Sequence, residues 1–165
     1  MARPAWYSQL MWEGPYKVSE VAPRGSRTLI PDFPGGCYVF TIHPGALQPN
    51  RVLYVGETEQ PLRKRISAYL VNWRIPKSKD SKEHKGKGFV LEARKKNGDE
   101  GVYLHWVRYG GADWQRRQLE ASLIEYLKPE CNDRDEEIRW GLLDQDQLLD
   151  PKTLLPKGWR VPRGY

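Results

Sequence analysis

Cysteine, methionine and phenylalanine are scarce in this chain, and so are the signals that would send it out of the cell. Among 165 residues there are two Cys, two Met and three Phe. Cys37 and Cys131, both in apolar contexts, cannot frame a disulfide scaffold and read as reduced thiols of a cytoplasmic protein. The three histidines, His43, His84 and His105, fall in no zinc-ligand spacing with those cysteines. No apolar run approaches the roughly 20 residues that span a bilayer, so no membrane partner is expected. The first six residues lack the apolar centre of a secretory signal. Also missing are a Ser/His/Asp arrangement, a Walker-type phosphate loop and any internal repeat.

What is present is charge and aromatic mass. Aromatic residues make up 12% of the chain, seven of them Trp, so its composition is not that of a disordered protein. Lys and Arg number 27 against 21 acids, a net charge of +6. A small basic domain either seeks a polyanion, nucleic acid being the commonest, or merely keeps a soluble surface. The length suits one compact domain with arms.

The stretch from Val52 to Tyr69 changes period part-way. Val52-Leu53-Tyr54-Val55 favours a buried strand, and Gly56 lets the chain turn without a Cβ clash. Pro61 suits the first position of a helix. From there Leu62, Ile66, Tyr69, Leu70 and Trp73 recur at helical spacing, with Arg65 at the edge of their arc. A strand, a turn and a helix with an edge arginine would aim a cation above the strand end, the shape of a phosphate site.

Around this stretch the elements follow in order. Residues 1–34 read as an aromatic arm (Trp6, Tyr7, Trp12, Tyr16) with a short helix near Ser8–Glu13. Cys37–Ile42 is a first strand, which pairs with Val52–Val55 across a loop rich in Pro and Gly. Val102–Tyr109 is a third strand. Between Arg74 and Lys96, nine Lys or Arg residues face three acids. That segment fits a solvated loop or a polycation laid along a phosphate backbone by Lys77, Lys79, Lys82, Lys85, Lys87, Arg94, Lys95 and Lys96. The two readings are compatible if the loop orders on binding. Residues 133–165 form an acidic extension with a short helix or two, then a Pro- and Gly-rich tail.

The helix predicted over Trp114–Leu127, capped by Asp113 and stopped by Pro129, is the most informative element. At about 100° per residue, Glu120 falls inside the apolar arc of Leu119, Leu123, Ile124 and Leu127, whereas Glu125 falls on the polar side. A carboxylate on a core-facing stripe is costly unless it pairs with a cation or binds a metal, and the helix geometry leaves both open. Asn132, just past Pro129, reads on its own as a turn or cap residue.

These pieces in sequence carry a family resemblance. Gly36-Cys37-Tyr38, then Tyr54-Val55-Gly56, Leu62-Arg63-Lys64-Arg65, and Leu119-Glu120 with Pro129-Glu130-Cys131-Asn132 resemble the GIY-YIG nuclease domain over about Gly36 to Asn132. The resemblance implies an α+β fold with a small three-stranded antiparallel sheet flanked by helices. Here that core spans 35–132, with the basic segment at about 74–100 as an insertion. It implies Tyr38 and Tyr54 as motif tyrosines, Arg65 as motif arginine, Glu120 as metal-binding carboxylate and Asn132 as motif asparagine. Tyr69 stands where several members carry Tyr or His. Arg65 is chosen over Arg63 because Leu62 and Tyr69 then both align across an extra residue near Gln60–Pro61. Cys37 replaces the usual aliphatic residue.

The activity implied is Mg²⁺-dependent (or Mn²⁺-dependent) hydrolysis of phosphodiesters in double-stranded DNA, by a monomer or homodimer. Repair and homing members carry separate DNA-binding domains, for which this chain has no evident room. A restriction-type, site-specific endonuclease is therefore expected. A stand-alone structure-specific repair or phage nuclease is the runner-up, and a non-catalytic nucleic-acid-binding protein a third reading.

Overall fold

The computed structural model describes residues 2–22, 29–70, 85–132 and 140–154. Its strands are β1 (Glu13–Lys17), β2 (Pro34–Thr41), β3 (Tyr54–Pro61) and β4 (Tyr103–Arg108). Its helices are α1 (Ala5–Gln9), α2 (Val18–Val21), α3 (Leu62–Leu70), α4 (Lys85–Asn97) and α5 (Asp113–Leu127), with a 3₁₀ turn at Pro151–Leu154. All strand pairings are antiparallel, in the order β1-β4-β2-β3. The fold is α+β, with helices on both sides of the sheet. No helix among the described residues is long and apolar enough to cross a membrane.

β2 explains the architecture. It lies between β3 and β4 and is buried from Gly35 to Thr41, so both its faces must be apolar. Tyr38 and Phe40 face a cluster with Leu62, Ile66, Tyr69 and Leu70 of α3, joined by Val90 and Ala93 of α4. Cys37 and Val39 face the opposite cluster, with Leu119, Leu123, Ile124 and Leu127 of α5 and Trp6, Tyr7 and Leu10 of the N-terminal arm. Tyr7 packs on Tyr126 of α5 with ring centroids 4.8 Å apart.

The three-stranded sheet expected from the sequence is corrected to four strands. The extra edge strand, β1, has the composition Glu-Gly-Pro-Tyr-Lys and no alternation of apolar residues. Side chains hold it instead. Tyr16 stacks on Trp106 at 4.9 Å with rings 6° from parallel, and Arg108 donates to Glu13 at 2.8 Å. Proline is tolerated there because an edge strand can lose a ladder donor.

The turn expected at Gly56 is also corrected. β3 runs straight through it to Pro61, and Gly56 pairs directly with Tyr38. A Cβ at Gly56 would lie 2.4 Å from Tyr38 Cζ, so the glycine makes room for the ring. The helix follows at once, Leu62 donating its N–H to Phe33 O at 2.9 Å.

Within the basic segment, Lys85–Asn97 is helix rather than loop, and Val90, Ala93 and Arg94 are buried. Residues 71–84, including Trp73, Lys77, Lys79 and Lys82, lie outside the described residues, as do 23–28, 133–139 and 155–165. Asp113 is the first residue of α5 rather than its cap. Ala112 precedes the helix, its N–H donating to the Gln115 side chain at 2.7 Å.

Candidate active site

Four elements converge at the edge strand β3. β2 supplies Tyr38 and β3 supplies Tyr54, one strand over. α3 adds Arg65 and, one helical turn on, Tyr69. The Tyr38 and Tyr69 hydroxyls are 2.8 Å apart in a buried hydrogen bond, and Tyr69 also bonds the Tyr54 hydroxyl. Ring centroids separate by 5.4 Å for Tyr38 and Tyr69, 6.2 Å for Tyr54 and Tyr69, and 6.5 Å for Tyr38 and Tyr54. The sheet period explains the grouping: Tyr38 and Tyr54 lie on the sheet face that α3 covers.

Burial is the largest influence on all three hydroxyls and pushes each pKa up, that of Tyr38 well above the ordinary tyrosine value. Opposing it in every case is the positive charge of Arg65 beside the hydroxyls. Arg65 Nε is itself buried, with no hydrogen-bond partner among the described residues. A buried guanidinium donor left unsatisfied is costly, so its presence calls for a reason. Arg63, the alternative motif arginine, is engaged elsewhere, donating from Nε to Ile30 O at 2.9 Å.

Glu120 stands on α5, the helix that packs on the other sheet face. It is half-buried, close enough that its carboxylate opposes ionisation of both Tyr54 and Tyr69. Glu125 is exposed, as its place on the polar side of the helix requires. Asn132 does not join the hydroxyl cluster, because its side-chain amide is bonded to the main chain of Val55.

Reasoning from the sequence missed Arg116, one turn before Glu120. Its side chain is only 8% exposed, yet it bonds Gly111 O at 2.9 Å, Asp113 at 3.0 Å and Glu57 of β3 at 3.2 Å. Burial still raises the Glu57 pKa despite this cation. The network ties the first turn of α5, the helix that carries Glu120, to β3. The available signal was the four-residue spacing from Arg116 to Glu120. The Cys37 thiol, beneath this network, is fully buried and its pKa is pushed well up, so it is inert.

Among the described residues no three acids, histidines or cysteines converge as a cation cage. The carboxylate whose charge acts on the Tyr54 and Tyr69 hydroxyls is Glu120. That matches Mg²⁺, which keeps several waters and takes one or two carboxylates plus substrate phosphate oxygens; it does not match a tetrahedral zinc site.

The basic residues of α4 divide. Lys95 and Lys96 are exposed, and Lys87 is half-buried, with burial first and the charge of Arg65 second holding its ammonium below the ordinary lysine range. Arg94 turns inward, bonding Asp99 at 2.7 and 2.9 Å and Tyr69 O at 3.0 Å. Of Lys85 only the main chain is described. Comparison with family models, with curated proteins and with solved structures finds no match to this chain.

Proposed function

We propose that this chain is a metal-dependent DNA endonuclease of the GIY-YIG type, with Glu120 as metal-binding carboxylate and double-stranded DNA as substrate. What supports this reading is that the rings of Tyr38, Tyr54 and Tyr69 pack together and feel the charges of Arg65 and Glu120, the residues that the sequence resemblance singles out. The unpartnered buried Nε of Arg65 adds to it, because a phosphate oxygen would satisfy that donor. The restriction-type role, as monomer or homodimer, is the finer part of the proposal.

Hydrolysis joins a water oxygen to phosphorus and breaks one P–O ester bond, with a proton leaving the water and one reaching the departing oxygen. Arg65 clamps a non-bridging oxygen through its planar fork and offsets the charge that builds there. Mg²⁺ or Mn²⁺, when bound, would supply Lewis-acid polarisation of the phosphate and acidify a bound water. Tyr38 is assigned to accept the water proton, and Tyr54 to orient water or phosphate. Because burial favours the neutral hydroxyls, Tyr38 can take up the water proton only by releasing its own, a loss that the positive charge of Arg65 and of a bound metal ion would favour and the anionic phosphate would oppose.

The test is digestion of a mixed plasmid and phage DNA panel with Mg²⁺, followed by sequencing of the ends. Discrete ends support the restriction role; scattered nicking supports a structure-specific or phage nuclease. Glu120→Gln should abolish cleavage while folding and DNA binding persist, and Glu125→Gln should change neither. Undiminished cleavage by Glu120→Gln would sink the assignment. Absence of any metal-dependent cleavage by the unmodified protein would favour a binding-only role.

A further inference from the structure

We propose that Tyr69 is the terminal proton acceptor of this site: Tyr38 takes the proton of the attacking water and passes its own across the hydrogen bond to Tyr69. The proposal rests on the nuclease reading above. Of the three phenols Tyr69 is the central one. Its hydroxyl lies 2.8 Å from that of Tyr38 in a buried bond, and it also bonds the Tyr54 hydroxyl. Its ring centroid is 5.4 Å from Tyr38 and 6.2 Å from Tyr54, against 6.5 Å between those two. The residue is held in place. Tyr69 is 5% exposed, its ring packs on Phe40 at 5.3 Å, and Arg94 of α4 donates to its main-chain oxygen at 3.0 Å. The phenol oxygen therefore stays where Tyr38 can reach it.

A phenolate is stabilised by hydrogen bonds to its charged oxygen. Ionised at Tyr69, the cluster keeps two such bonds, with Tyr38 and Tyr54 as donors. Ionised at Tyr38 or at Tyr54, the charged oxygen keeps only the bond from Tyr69. The charges around Tyr69 divide. Arg65, one turn earlier on the same helix, favours the phenolate, and Glu120 of α5 opposes it. Arg94 of α4 is already paired with Asp99. Burial is the largest influence and keeps Tyr69 neutral in the free protein at neutral pH. Its proton leaves for solvent when the complex assembles, under the field of Arg65 and a bound metal ion. The step then balances. The water oxygen bonds phosphorus, the water proton goes to Tyr38, the proton of Tyr38 goes to the Tyr69 oxygen, and the ester oxygen departs with a proton from solvent. Tyr38 ends as it began, so no charge has to be held on the more deeply buried phenol.

Two measurements test this. The first is single-turnover cleavage of saturating DNA. Tyr69→Phe should lose about 100-fold or more, the scale of a missing proton-transfer group. Its DNA affinity, measured in Ca²⁺, should hold, because the lost hydroxyl is buried. Meta-fluorotyrosine at position 69, a more acidic phenol of nearly the same shape, should move the acid limb of the pH–rate profile to lower pH. A packing role for Tyr69 would leave that limb in place. Full-rate cleavage by Tyr69→Phe, or an unmoved limb, overturns the proposal. The second measurement needs no cleavage: an NMR pH titration of the full chain labelled at tyrosine Cζ, with the signals assigned from single Tyr→Phe variants. Tyr69 should ionise at lower pH than Tyr38 and Tyr54. If Tyr38 or Tyr54 ionises first, the proposal is overturned even in a protein that cuts DNA. Tyr69 ionising first in a protein without metal-dependent cleavage leaves it as the charge-bearing oxygen of the cluster and removes only the nuclease reading.

Discussion

Asn132 grips the peptide of Val55 at both ends: its Oδ1 accepts the Val55 N–H and its Nδ2 donates to the Val55 carbonyl, each at 2.8 Å. Two main-chain bonds lead up to it, Glu130 N–H to Val52 O and Cys131 N–H to Leu53 O, both 3.0 Å. The chain leaving α5 thus runs as an extra rung along the entry to β3 and ends in a side chain that mimics a peptide. The residue before Val55 on β3 is Tyr54, so the clamp fixes the stretch of main chain from which that tyrosine projects.

Asn132→Ala should therefore remove two hydrogen bonds and leave a part-buried peptide unpaired, destabilising the fold by about 2 kcal/mol. Urea denaturation measures this. Asn132→Asp keeps the acceptor and loses the donor, so its loss should be roughly half. If either variant unfolds at the unmodified midpoint, the clamp contributes nothing.

Gly56→Ala tests the close approach to Tyr38. The new Cβ would fall 2.4 to 2.7 Å from two ring atoms and the hydroxyl oxygen of a Tyr38 side chain that is buried and cannot swing out. Overpacking of this kind costs about 1–3 kcal/mol. Because the displaced ring carries the hydroxyl bonded to Tyr69, cleavage should fall further than the stability loss explains. Cleavage rates at a temperature where the variant is fully folded separate the two effects.

Legibility in the sequence followed the strength of the periodic signal. β2 was readable because burial on both faces makes it continuously apolar, and α5 because four aliphatic residues mark its stripe, which is what singled out Glu120. β1 was unreadable because its partners, Tyr16 on Trp106 and Glu13 on Arg108, join residues distant in the chain. α4 was hidden by its lysines and two glycines, although Val90 and Ala93 anchor it. Charge was the other blind spot. Arg94 and Arg116 are buried among acids and carbonyls, while a sequence argument assigns cations to the surface. Asn132 read as a plain turn residue because its partner lies 77 positions earlier.

His105 should make stability depend on pH. It is 2% exposed on β4, beside the bulge where Gly14 lies against it, and its Nε2 has no partner among the described residues. Burial lowers its pKa from 6.5 to about 4. The unfolded chain thus takes up this proton near pH 6.5 and the folded chain only near pH 4. The contribution is fully present above 6.5 and is lost as pH falls toward 4, at most about 3 kcal/mol. Urea midpoints at pH 7, 5.5 and 4.5 should fall steadily, and His105→Leu should flatten much of that slope. An unchanged slope in His105→Leu would assign the acid sensitivity to carboxylates such as Asp99, whose pKa is lowered by its bond to Arg94.

Arg94 and its neighbours Lys95 and Lys96 should behave as different kinds of residue despite equal charge. Arg94→Gln strands Asp99 and vacates the Tyr69 carbonyl. Breaking a fully buried pair costs about 3–5 kcal/mol. With the Asp99 side chain 37% exposed, water can take up part of its charge, and a loss of about 2 kcal/mol is expected. Lys95→Gln with Lys96→Gln should leave stability within about 0.5 kcal/mol. On duplex DNA the order reverses. If the two exposed lysines each meet a phosphate, neutralising them should lower the slope of log K against log salt by about 2, at roughly 0.9 per contact. Arg94→Gln should leave that slope alone. Salt titrations of binding in Ca²⁺, paired with urea melts of the same proteins, give both numbers. A slope lowered by Arg94→Gln in a fully folded protein would place its guanidinium on DNA and remove it from the Asp99 pair.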